Sequence, residues 1–241
     1  MSITRDRSVP RALDGLKRQA PTAFAFAASV VMLFLAVPSF LSDVRLANAH
    51  LVRWQVEQGE DLDQRTLRRA AIAYENASRR WDADPRGWER SAILSILAAE
   101  ASGQAGELGV ARQHLERAVR RMPSHGAAWT RLVYTDFLEG RLDEVTFATW
   151  RMANLTSRLE FDDLRIRLWI GLLRWQDLPM DLRADLAASG AALWRAGGAG
   201  QKVLATVFRQ LPRSARDRMT QVIPDGAGNI GLIAALAARL P

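Results

Sequence analysis

The chain has 241 residues, no cysteine and a net charge of +7 at pH 7, with Ala, Leu and Arg abundant and only two Tyr. The lack of cysteine excludes disulfides and thiolate metal sites, and a composition rich in strong helix formers predicts an all-α fold. The basic balance does not describe a nucleic-acid surface. Residues 1–20 carry Arg5, Arg7, Arg11, Lys17 and Arg18 against Asp6 and Asp14, and the remaining excess is interleaved with acidic residues rather than gathered in a basic stripe with aromatics.

The first predicted element is Pro21–Leu41, PTAFAFAASVVMLFLAVPSFL, 21 residues without a charge. As a helix it would span about 31 Å, the thickness of a bilayer's hydrocarbon core. It is expected to be a single-pass transmembrane anchor preceded by a cytoplasmic basic tail, residues 1–20. The positive-inside rule then puts the amino terminus in the cytoplasm and the bulk in the periplasm, at a bacterial inner membrane. A cleaved signal peptide is the second reading, because Ala47-Asn48-Ala49 has the small-x-small form of a cleavage site. The length of the apolar run, and Asp43 and Arg45 ahead of that site, favour the anchor. Residues 42–62 are expected to be a linker and helix extension.

Helical periodicity follows. Leu67, Ala70, Ala71, Tyr74 and Ala77 recur at three- and four-residue spacing. Pro85 can start the next helix, which runs to Gly103. Leu108–Arg121, ended by Pro123, and Ala127–Leu138, closed at Gly140, come next, and Asp143 can cap a fifth, to Leu155. Beyond it Asp162–Trp175, Pro179–Arg195, Gln201–Leu211, Arg213–Val222 and Ile230–Leu240 read as helices, with interruptions at Gly197-Gly198, Gly200 and Pro224-Asp225-Gly226.

Two stretches nearly repeat, ENASRRWDADPRGW from Glu75 to Trp88 and ERAVRRMPSHGAAW from Glu116 to Trp129. Ala70, Tyr74, Ala77 and Trp88 correspond to Ala111, Leu115, Ala118 and Trp129, each pair 41 residues apart. The spacing Ala111-x3-Leu115-x2-Ala118-x4-Pro123 resembles the second helix and exit turn of a tetratricopeptide repeat. The resemblance implies stacked helical hairpins over residues 63–160, with Trp129 at the family's tryptophan position and residues 161–241 as a carboxyl-terminal helical capping region. The family's period is 34 residues; the seven extra here are expected in SGQAGEL, Ser102–Leu108, between two helices. A third copy around Thr146–Ile166 lacks the proline and the small-residue pair.

The region RLVYTDFLEGRLDEV…SRLEFDDLRIRLWIGLLRWQDLP, with Trp169, Trp175, Leu178 and Pro179, resembles helical-repeat proteins of alphaproteobacterial exopolysaccharide and O-antigen assembly. That resemblance implies a periplasmic accessory to polysaccharide polymerisation or export.

Residues suited to chemistry are sparse. Gly226-x-Gly228-x-x-Gly231 is a dinucleotide-type string, but only ten residues follow it and a helical segment precedes it, so a flexible turn is expected and no cofactor. His50, His114 and His125 form no metal-ligand spacing, and Asp162-Asp163 and Asp82/Asp84 read as helix caps and starts. No metal site and no catalysis are expected. In a tetratricopeptide stack the first helix of each hairpin lines the groove, and Arg90 and Arg131 are equivalent there, with Tyr134 one turn on. These three are the candidate partner-binding residues, suited to an acidic peptide or an anionic polysaccharide; the bland reading leaves the arginines solvated or pairs them with Glu89 and Asp136. The expected function is a non-catalytic scaffold that binds a multispanning inner-membrane protein, in exopolysaccharide or O-antigen polymerisation or export. The alternatives are a scaffold for cytochrome c maturation or cell division, a helical envelope enzyme, or a structural subunit of a membrane complex.

Overall fold

A computed structural model describes residues 11–80 and 85–240, some of those inside helices by backbone alone. Among the described residues every regular element is a helix. They run α1 (Arg11–Glu57), α2 (Gln64–Arg80), α3 (Pro85–Ser102), α4 (Ala105–Arg121), α5 (Gly126–Leu138), α6 (Glu144–Thr156), α7 (Phe161–Leu173), α8 (Met180–Arg195), α9 (Gly198–Gln210), α10 (Arg213–Arg216) and α11 (Gly226–Ala237). Short 3-10 turns lie at Trp175–Asp177 and Asp217–Gln221.

The chain divides into two units, Met1–Asn48 and Ala49–Pro241. In the first, helix α1 leaves Phe26, Val30, Val31, Met32, Leu33, Phe34, Val37, Phe40, Leu41 and Val44 exposed. At 100° per residue, Val30–Phe34 alone present apolar side chains on every face. Among the described residues no helix is long and apolar enough to cross a membrane. The expected span 21–41 includes side chains outside the described set, as does the basic tail up to residue 10.

In the second unit the stops expected from glycine are real. Gly103, Gly140 and Gly197 end α3, α5 and α8 with φ of +68°, +73° and +69°, a region where a side chain would be strained. Asp143 caps α6 by accepting the Thr146 backbone N–H at 3.0 Å. Helices α2, α3, α4 and α5 each pack on the next, as do α7 on α8 and α8 on α9. Helices two apart also meet: α3 with α5, α5 with α7, α7 with α9, and α6 with α8. Burial recurs at an offset of 41. Leu67/Leu108, Ala70/Ala111, Tyr74/Leu115, Ser78/Val119, Ser91/Leu132 and Ala92/Val133 are all buried.

Two hydrophobic clusters result. One joins Trp88, Ala92, Ile96, Ala111, Leu115, Ala118 and Leu132; the other runs from Val133 through Trp150, Leu168, Leu182 and Leu204 to Ile233.

Several expectations are corrected. The extra residues of Ser102–Leu108 do not form a loop, because α4 begins at Ala105 and leaves only Gly103-Gln104 between helices; the added length sits in helices of 18 and 17 residues. Within 42–62, residues 42–57 continue α1 as a helix extension and the linker is confined to the stretch before α2 begins at Gln64. Arg213–Val222 is not one helix but α10 followed by a 3-10 turn. Gly198 and Gly200 lie inside α9, where a Cβ on Gly200 would stand 2.0 Å from the Leu193 carbonyl oxygen, so glycine there permits close helix approach. The Gly226–Gly231 string is helical, starting α11 after Asp225 in the left-handed region at φ 51°. A helix carrying Ile233 and Ala237 into the core overrides the low propensity of its glycines.

Candidate binding groove

Because α3, α5, α7 and α9 stand side by side, their shared face forms a groove of about 460 Å³. Ile93, Ile96, Leu97 and Glu100 come from α3, Arg131 and Tyr134 from α5, Arg165, Ile166 and Trp169 from α7, and Gln210 from the end of α9. The spacing puts one or two turns of each helix on this face, apolar at its base and cationic along one wall.

Of the three expected residues the groove gathers Arg131 and Tyr134, but not Arg90. The Arg90 guanidinium lies 5.9 Å from the Tyr74 ring centroid, and the Tyr74 hydroxyl is 2.8 Å from His50 Nδ1. Tyr134 donates its hydroxyl to Glu100, and burial first, then that carboxylate, raises the phenol's pKa. Its ring stands edge-on to Trp169 at 6.3 Å, and Phe137 meets the same indole at 5.3 Å. Arg131 lies 3.7 Å from Asp163, too far for a hydrogen bond, and its Nη1 has no hydrogen-bond partner among the described residues. The Trp169 indole N–H is likewise buried and unpartnered there, and Arg165 makes no ion pair among the described residues. The groove thus combines an aliphatic base with three donors short of acceptors.

Neither anticipated pairing of the arginines holds. Asp136 is buried and pairs with Arg112 and Arg141, while Thr146 Oγ1 donates to it at 3.2 Å. Glu89 pairs with His125, whose Nε2 is 2.7 Å away. Trp129 departs from its counterpart Trp88: it is half-buried, and its indole donates to the Pro123 carbonyl at 2.7 Å. Asp82 and Asp84 lie outside the described residues.

A second recess of about 380 Å³ lies on the other side of Arg131, with His125, Ser157, Glu160, Asp162 and Asp163 on its walls. The hydrogen bond to Glu89 raises the His125 pKa above its ordinary value, more than burial lowers it. Burial pushes Glu89 up, but His125 and Arg131 together hold it below the usual carboxylate range. A raised imidazole stabilises the fold fully below about pH 6.5 and loses that contribution as pH rises through its folded value; a depressed carboxylate contributes above about pH 4.5 and is lost as pH falls through its folded value. The pair is therefore at full strength between those limits. His125→Gln is expected to remove on the order of 1–2 kcal/mol at pH 6 and much less at pH 8.5, measured as the wild-type-minus-variant difference in thermal midpoint across that range. A difference independent of pH would show that the pair does not ionise as described.

Groups able to hold a metal do not cluster among the described residues. No known protein family, no curated protein and no solved structure matches the chain.

Proposed function

We propose that the chain is a non-catalytic scaffold, anchored in a bacterial inner membrane by residues 21–41, whose periplasmic helices stack as tetratricopeptide-like hairpins and position a membrane protein. The work best matched by the sequence resemblance is exopolysaccharide or O-antigen polymerisation or export. The observation that carries this reading is the groove along α3, α5, α7 and α9, where Arg131, Arg165 and Trp169 stand beside Ile93, Ile96 and Ile166. Such a face suits a partner segment with an acidic group beside aliphatic side chains, the guanidinium supplying paired donors and the aliphatic base the apolar contact. Two further observations support it: six pairs of buried residues at an offset of 41, and the exposed apolar run Val30–Phe34 of α1.

The test is site-specific photocrosslinking in intact cells. Benzoylphenylalanine replacing Ile93 or Ile166 is expected to yield an adduct with one multispanning membrane protein, and replacing the exposed Leu155 is not. Adding Arg165→Glu should reduce the adduct about ten-fold, the equivalent of one lost ion pair of about 1.4 kcal/mol. Equal labelling from Leu155, or no adduct from the groove, overturns the reading.

A further inference from the structure

Towards its carboxyl end helix α1 carries two apolar stripes, and only one of them is turned inward. Ala49, Val52 and Val56 form the first: Ala49 is buried, the other two are half-buried, and the adjacent His50 Nδ1 meets the Tyr74 hydroxyl of α2 at 2.8 Å. Val44, Ala47, Leu51 and Trp54 form the second. All four are exposed, Leu51 and Trp54 at 54% each. At 100° per residue the two stripes fall on opposite sides of the helix.

Counted along the sequence, the exposed stripe keeps a strict seven-residue repeat. Val44 and Leu51 follow Val30 and Val37 at intervals of seven, and Ala47 and Trp54 likewise follow Leu33 and Phe40. These are the a and d positions of a heptad, and every one of them is exposed. Over Val30–Phe34 apolar side chains face every way, so the repeat is not legible from that stretch alone. From residue 42 onward it is. Eight polar residues lie between 42 and 57, Asp43, Arg45 and Arg53 among them, and none falls at a or d.

We propose that α1 pairs in parallel with α1 of a second copy of this chain, through this seam. Lipid demands no period of seven, and a helix covered only by its own fold follows 3.6. A strict seven-residue repeat suits a second helix wound about the first. Lipid also falls short of the far end. Leu51 and Trp54 come 10 and 13 residues after Leu41, about 15 and 20 Å of helix. The headgroup layer adds only about 5–8 Å to each side of the hydrocarbon. The seam is self-complementary as well. Valine at three successive a positions is a residue choice that favours two-stranded parallel coils. The flanking positions, Asp43 and His50 on one side against Asn48 and Gln55 on the other, set no like charges opposite each other. Two copies that enter a membrane from the same side meet a to a and d to d; this alignment rests on the anchoring proposed above.

The chain has no cysteine, so each introduced one reports alone. The test oxidises Leu51→Cys and Trp54→Cys, in the full chain and in native membranes, with copper phenanthroline. Both are expected to give a disulfide-linked dimer of the 26.8 kDa chain on non-reducing gels. Arg53→Cys lies between them in sequence, off the seam, with a side chain 41% exposed; it is expected to give about ten-fold less dimer. Leu51→Glu sets two carboxylates in one layer of the seam and should weaken association at least about ten-fold, read by sedimentation in dodecyl maltoside. Because Leu51 is exposed in the single chain, that variant keeps the wild-type circular dichroism. No dimer, equal dimer from Arg53→Cys, or an adduct with a different protein overturns the proposal. Carbonate extraction separates it from the anchoring. Chain released by carbonate that still crosslinks refutes the anchor and leaves the seam; chain retained in the membrane without crosslinking refutes the seam and leaves the anchor.

Discussion

Cutting Trp150 back to alanine is expected to cost about 3–5 kcal/mol, the range for deleting a buried aromatic side chain. Trp150 is fully buried, on the face of α6 that meets α5, among Val133, Phe147 and Leu168 of the larger cluster. Helices on both sides are held by their own neighbours, so the site cannot collapse to fill the void and the loss should fall in the upper half of that range. In a chain of this size each kcal/mol lowers the thermal midpoint by roughly 2–4 °C, so a fall of about 10 °C is expected by circular dichroism in detergent. Trp150→Phe gives a second reading of the same site. It loses part of the volume, but it also removes an indole N–H that has no partner among the described residues. An unmade buried donor costs about 1–3 kcal/mol, so phenylalanine is expected to retain most of the stability. An alanine variant within about 1 kcal/mol of wild type would mean that α6 does not pack as described.

Asp163→Ala is expected to cost a comparable 3–5 kcal/mol, for an electrostatic reason. Arg167 is 1% exposed, and its guanidinium donates to the Ser157 carbonyl at 2.7 Å and to the Ser157 hydroxyl at 3.2 Å. Those contacts satisfy donors but supply no charge. Asp163, 4% exposed, is the carboxylate that offsets Arg167 most, ahead of Asp185, and it also faces the more accessible Arg131. Burial opposes ionisation of both partners: it lowers the Arg167 pKa and raises that of Asp163 in spite of the hydrogen bond from Ser157 and the guanidinium charges. The net contribution of such a pair is small, but removing one member leaves a buried charge uncompensated. The double variant Asp163→Leu with Arg167→Leu should therefore be more stable than Asp163→Ala alone. Chemical denaturation of the three proteins measures this directly; a double variant worse than the single one would sink the argument.

The places where the sequence was easy to read share one property: the cause is local. Gly103, Gly140 and Gly197 stop helices because their own φ is positive, and Asp143 caps α6 through a residue three positions on. Leu67, Ala70 and Tyr74 are buried as their periodicity predicts. Where the cause is distant, the same reasoning fails. Arg131 and Asp163 meet across α5 and α7, and nothing at either position singles out the other. Asp163 sits in the first turn of α7 as its sequence suggests, yet its carboxylate is turned inward, a fact set by the packing of α5 on α7. The groove is a mixed case. The repeat alignment placed Arg131 and Tyr134 on its wall, but Glu100, Arg165 and Trp169 belong to helices whose register relative to α5 no spacing encodes. Arg90 fails for a related reason. It is equivalent to Arg131 by alignment, but its neighbour is the Tyr74 ring.

Helix α5 contributes Leu132 to one hydrophobic cluster and Val133, the next residue, to the other, while Tyr134 touches both. One helix of 13 residues thus stands where the two clusters adjoin. Damage deep in either cluster, at Ala111 or at Leu204, is first borne by that cluster. Damage to α5 is borne by both, because neither retains its closing wall. The groove opens on this same helix, with Ile93 and Ile96 contributed from one side and Ile166 and Trp169 from the other. Whatever fills it touches residues of both clusters, so its binding is expected to stabilise both against unfolding.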